Sequence, residues 1–157
     1  MILSACQQIA APQEFVLARA GEIDWVAQAA RARGAEVDPP ERTGTGTGIG
    51  ARCRLRVPLR GQVWPLALSI EADPQPDALR FRVEAQPAVA LASVRLVAAG
   101  AEATEATLRL ELRPVGLQGR LLLGSLRMAQ GRVQDRLHRD LAALARGAEA
   151  LWRQSQG

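Results

Sequence analysis

The chain has no lysine, tyrosine or asparagine, a single histidine and only two cysteines among its 157 residues. All 20 basic side chains are therefore arginine, which a GC-rich coding bias explains as readily as selection for guanidinium chemistry. One histidine cannot assemble a metal site, which needs several ligands, so neither a metal nor a cofactor is expected. Cys6 and Cys53 form no CxxC and have no histidine at ligand spacing, so both read as reduced, buried thiols. Aromatic residues make up 3% of a chain that is 48% hydrophobic, so the core must be built from Leu, Val and Ala.

Other absences remove whole classes of function. No stretch of 18 apolar residues occurs, so no helix is expected to span a membrane. Leu3, Ser4, Ala5 and Cys6 match the small-residue pattern of a lipoprotein cleavage site, but only Met1 and Ile2 precede them, and a first strand explains them better. A cytoplasmic location is the expectation. Ser4, Ser69, Ser93 and Ser125 lack a GxSxG turn and a paired histidine. The net charge of +4 invites a nucleic-acid partner, yet the arginines alternate with 16 carboxylates and no basic run is interleaved with stacking aromatics. No nucleic acid is expected.

What is present is pattern. Ile2 to Ile9 reads as a strand, and Pro12 suits a helix start because it has no donor to lose there. Gln13 to Ala20 and Glu22 to Arg33 read as two helical pieces, separated by Gly21 and stopped by Gly34. Ala35 to Arg42 contains Pro39 and Pro40, so any strand there lies at an edge. The stretch from Thr43 to Gly50 resembles a phosphate loop, but it lacks the GxGxxG register and a helix after it. It reads as a connection or a glycine-rich lead-in to a strand at a cavity mouth.

From Ala51 the period becomes two. Cys53, Leu55, Val57 and Leu59 alternate with Arg52, Arg54, Arg56 and Pro58, and Trp64, Leu66, Leu68 and Ile70 continue the apolar face after Gly61. Leu79, Phe81 and Val83 follow the turn at Asp73 to Asp77, then come a weaker strand over Val89 to Ala99 and a last one through Leu108, Leu110 and Leu112. The short connections predict an antiparallel meander. Its outer face carries Arg52, Arg54, Arg56, Arg80, Arg82, Arg109 and Arg113, a solvated surface with cross-strand pairs to Glu84 and Glu111, or else a face for a protein partner.

The last forty residues place Leu122, Leu126, Ala129, Val133, Leu137, Leu141, Leu144, Ala148 and Leu151 on one stripe of a helix. Unbroken from Leu117 to Gln154 it would run about 55 Å, longer than the roughly 40 Å of a domain this size. It must overhang, bend or start late, with Gly119, Gly124 and Gly131 the natural places. The fold class is α+β, a curved antiparallel sheet with one long helix across it and room for a ligand between them.

Ile9, Ala10, Ala11, Pro12 and Glu14 before the first helix, Asp24 and Trp25 in the second, and Gly48 and Gly50 leading into the third strand carry a resemblance. Thr107, Leu108 and Leu110, with Pro114 to Leu117 before the last helix, complete it. Nearly the whole chain, as a single domain, resembles the START-like or Bet v 1-like (SRPBCC) superfamily, the helix-grip fold, and most of all its bacterial polyketide cyclase/dehydratase-like branch. The resemblance implies about seven strands wrapped around the C-terminal helix and a cavity for lipids, polyketides or quinone-like molecules. Some relatives are cyclases and others carriers, and a shared fold does not choose between them.

The cavity lining expected from the pattern is Trp25, Trp64, Leu66, Phe81, Val83, Leu110, Leu126, Val133 and Leu137. No catalytic residue is assigned. His138 falls on the flank of the stripe, Asp135 and Asp140 lie off it, and Cys53 points inward with nothing beside it to lower its pKa. A carrier or sensor of a small hydrophobic molecule is favoured over a cyclase/dehydratase-like enzyme and over a protein-interaction module. A homodimer or protein partner stays open.

Overall fold

The computed structural model describes residues 1–42, 48–59 and 61–157. Thr43 to Thr47, the centre of the threonine–glycine stretch, lie outside the described residues. In chain order the elements are β1 (Ile2–Ile9), α1 (Gln13–Ala20), α2 (Ile23–Ala32), β2 (Glu36–Val37), β3 (Arg52–Leu59), β4 (Gln62–Ala72), β5 (Ala78–Glu84), β6 (Ala88–Gly100), β7 (Ala103–Pro114), α3 (Gly116–Met128) and α4 (Gln130–Gln156). One seven-stranded sheet runs in the order β1-β7-β6-β5-β4-β3-β2, and every neighbouring pair is antiparallel. This is the expected helix grip.

The register shows why the alternation was informative. Cys53 lies opposite Leu68, Leu68 opposite Val83, and Val83 opposite Ala90, so one parity of each strand shares one face. Ala92 continues that face to Leu110, and Leu110 to Leu3, which is buried. Consistent phase puts the apolar side chains under the helices and the arginines outside. β2 is only two residues long and forms an edge, as Pro39 and Pro40 require.

Outside, Arg56 pairs across the ladder with Glu36 at 3.2 Å, but the pairs of Glu84 and Glu111 differ from expectation. Arg82 bonds Glu84 at 2.7 Å and Arg113 bonds Glu111 at 3.2 Å, each two residues along its own strand rather than across to a neighbour. Side chains at i and i+2 share a face, so a long guanidinium reaches the carboxylate without crossing the ladder.

The terminal segment bends, one of the outcomes its length required, and forms two helices. Ala129 (φ −106, ψ 21) ends α3 and opens α4, two residues before Gly131. Val115 N–H donates to the Pro87 carbonyl at 2.9 Å, and α3 packs on β7, leaving Met128 93% exposed at the bend. The remaining 27 residues of α4 run about 40 Å, a length that fits the domain. α4 buries Leu141, Ala145 and Ala148.

The core has two parts. Ile9, Ala11, Val16, Leu96, Ala106, Ala145 and Ala148 cluster beneath α1 and α4. Ile23, Ala51, Cys53, Leu55 and Ile70 cluster beneath α2. Thr104 is fully buried at the edge of the first, where its hydroxyl donates to the Ala11 carbonyl at 2.7 Å. A domain of this size ordinarily has one contiguous core. Here the gap between the clusters holds the site.

Candidate functional site: a cavity beneath the last helix

Between the sheet and the helices lies a cavity of about 460 Å³. Phe81 and Val83 of β5, Ala92 and Val94 of β6 and Leu108 of β7 form its floor. Val16, Ala20, Trp25, Val26 and Ala29 wall it on the side of α1 and α2, and Leu141, Leu144, Ala145 and Ala148 on the side of α4. Alanines at Ala29, Ala92, Ala145 and Ala148 explain why there is space. Larger side chains at those positions would meet across the gap and close it.

The wall is almost entirely carbon. Its charged groups are Arg19, Arg33 and Asp140. Arg33, at the C-terminus of α2, is bonded to the Asp140 carboxylate of α4, and its other terminal nitrogen reaches the Asp140 carbonyl at 3.3 Å. Both side chains are about a third exposed, so the pair sits on the solvent side of the wall. A surface groove between α2 and α4 shares Trp25, Ala29, Arg33 and Leu144 with the cavity, which locates the way in.

Three of the nine residues expected from the sequence, Trp25, Phe81 and Val83, line this space. Leu110 has the right phase but sits one inward position beyond Leu108, between Leu3 and Ala92. Leu66 packs into the cluster beneath α2, and Trp64 lies farther along β4, opposite Val57. Leu126 is carried away on α3, while Val133 and Leu137 are half-buried on α4 before its cavity-lining turns. The alternation reports which face a side chain takes, not how far along the strand a cavity lies.

Asp140, off the apolar stripe, is half-exposed, pairs with Arg33 and borders the space. His138 is exposed and outside the cavity, with its Nε2 2.9 Å from Gln134 Nε2. Cys53 is buried beneath α2 with its thiol pKa pushed up by desolvation, an effect that the Arg31 charge opposes. A raised pKa keeps it a neutral, unreactive thiol. Among the described residues no group of three or more His, Cys, Asp or Glu side chains could hold a metal. No helix among them is long and apolar enough to cross a membrane.

Comparison with solved structures gives the class of fold. No family model matches the chain, and no curated protein matches it in sequence. The Zhui aromatase/cyclase from Streptomyces sp. R1128 is 16% identical, with 95% of this chain and 93% of that one covered at a TM-score of 0.62. A START superfamily protein from Mycobacterium smegmatis is 14% identical, over 86% and 95% of the two chains, at a TM-score of 0.56. Norcoclaurine synthase from Thalictrum flavum, in complex with a transition-state analogue, is 10% identical, over 100% and 96%, at a TM-score of 0.68. The chain shares its helix-grip fold with these structures.

Proposed function

We propose that this chain holds a small hydrophobic molecule, of lipid, polyketide or quinone-like kind, in the cavity beneath α4, as a carrier or sensor. The observation that carries the reading is a 460 Å³ space walled almost wholly by apolar side chains and placed between two halves of a core. That volume lies within the range of small-molecule sites, roughly 300–1,000 Å³. Burial of apolar surface supplies the affinity, and the few polar groups at the wall supply orientation. The helix-grip fold is shared with an aromatase/cyclase and with norcoclaurine synthase, which is consistent with small organic guests.

Binding without chemistry is the reading the wall favours. Among the described residues its one carboxylate, Asp140, is already engaged by Arg33, and His138 lies outside. Proton transfer needs a group within hydrogen-bond reach of the substrate and free to exchange its proton. Organic extraction of purified protein followed by mass spectrometry tests the proposal. Release of an apolar small molecule, and its stoichiometric return to the stripped protein, is the expected result. Failure of the stripped protein to take up any apolar probe would overturn it.

A further inference from the structure

Helix α3 is apolar on two opposite sides. On one, Gly119 and Leu123 are buried and Leu122 and Leu126 half-buried, where the helix packs on β7 and Gly119 lies against the Pro87 carbonyl. On the other, steps of four, three and four join Leu117, Leu121, Gly124 and Met128 into a second stripe. Leu117 is 73% exposed, Leu121 66% and Met128 93%. A surface helix ordinarily carries polar residues opposite its packed side, so an apolar stripe there marks a contact with something outside the fold.

Charge selects what makes that contact. Arg120 and Arg127 stand two turns apart on one flank of the stripe. No Asp or Glu occurs between Glu111 and Asp135, and none of the ion pairs among the described residues uses either arginine. Elsewhere carboxylates accompany the arginines, as Asp38 does Arg56 and Glu84 does Arg82. An apolar stripe with only positive charge beside it complements a surface that is negative outside and apolar beneath, which is an anionic lipid bilayer. Other occupants fit less well. A second copy set two-fold on the stripe would bring arginines together with no carboxylate on the helix to receive them. A folded protein partner takes a side chain into a pocket, whereas this stripe is convex with Gly124 at its middle.

We infer that α3 is a membrane-docking helix, which lays Leu117, Leu121 and Met128 into the headgroup boundary of an anionic bilayer while Arg120 and Arg127 meet the lipid phosphates. The attachment is peripheral and reversible, because three apolar side chains and two charges hold far less firmly than a spanning helix. It goes beyond the reading of the cavity and does not depend on what the cavity holds.

Co-sedimentation of the full chain with lipid vesicles tests it. The protein should pellet with phosphatidylcholine vesicles containing one third phosphatidylglycerol, stay in solution with phosphatidylcholine alone, and come off as salt is raised, since exposed charges are screened. An arginine near an anionic surface is worth about fivefold in affinity, so Arg120→Gln with Arg127→Gln should weaken binding roughly 25-fold. Leu121→Gln with Met128→Gln should weaken it about tenfold or more. Val63→Gln is the control and should bind unchanged: Val63 is 65% exposed on β4, which β5 and β6 separate from β7 and its helix. Equal binding to both kinds of vesicle, or a loss in Val63→Gln as large as in the α3 pairs, overturns the inference. Binding to neither overturns it too and gives the stripe to a protein. That protein is a second copy if sedimentation velocity shows a dimer that the apolar pair of substitutions dissociates, and a different chain if it shows a monomer. Should the apolar pair fail to fold by circular dichroism, the arginine pair and the salt dependence decide.

Discussion

The two thiols show how strongly position governs a residue type. Cys6, expected to be buried, instead faces outward on β1, 3.6 Å from the Thr107 hydroxyl, while Cys53 faces inward on β3 beneath α2 as expected. Burial raises the Cys53 pKa, so the fold holds its neutral form. Its contribution to stability is therefore whole below the ordinary thiol value of about 8.5 and declines as pH climbs through the raised one. Two outcomes follow. Iodoacetamide should alkylate Cys6 in the native protein and Cys53 only in denaturant, as peptide mass analysis will show. Urea unfolding at increasing alkalinity should lose stability in the native chain and lose less of it in Cys53→Ala. Native labelling of Cys53 at the rate of Cys6 would contradict the burial on which the inner face depends.

At the level of elements, α3 sets two glycines side by side that ought to respond in opposite directions. A Cβ at Gly119 would overlap the Pro87 carbonyl oxygen, whereas one at Gly124 would meet nothing. Gly124→Ala should therefore stabilise the protein by about 1 kcal/mol, the ordinary preference of a helix interior for alanine. Gly119→Ala should cost about 1–3 kcal/mol despite the same preference, because α3 must lift from the Pro87 loop. Denaturant midpoints measure both. The same helix explains what was legible in the sequence. The period-two runs through Cys53, Leu68, Phe81 and Leu108 have a single phase that turns most of their apolar side chains inward, so the phase of the sheet could be read residue by residue. That a bend is needed follows from length alone, but its place at Ala129 rather than at a glycine does not, since Ala is a good helix former. Leu126 was expected to cover the cavity for that reason. Arg19 and Asp140 went unread because tertiary packing sets their surroundings: Phe15, on which Arg19 stacks, meets Trp152 of α4, and Asp140 pairs with Arg33 at the end of α2.

For the molecule as a whole the issue is whether the interior is hollow or merely loosely described by its lining. A hydrophobic interior packed to ordinary density resists added volume, at a cost of about 1–3 kcal/mol for a small-to-large change. A true cavity accepts it. Ala92 stands on the floor of the space, with Phe81 opposite it on one neighbouring strand and Leu110 on the other. Ala92→Leu adds three carbon atoms where no atom is displaced, so the ligand-free protein should gain about 1–2 kcal/mol from burial of apolar surface. The same change removes room for a guest, and affinity for an apolar probe such as 2-acetylnaphthalene should fall at least tenfold. Thermal unfolding with and without that probe reads both effects at once: a bound ligand raises the Tm of the native chain through mass action, and the variant should start higher yet rise less. Such an exchange of ligand affinity for intrinsic stability is what an interior kept open for binding produces, because the two clusters on either side of the gap would pack more tightly if they met. A variant that is less stable and still binds the probe would mean that the guest sits elsewhere, and the split core would then need another cause.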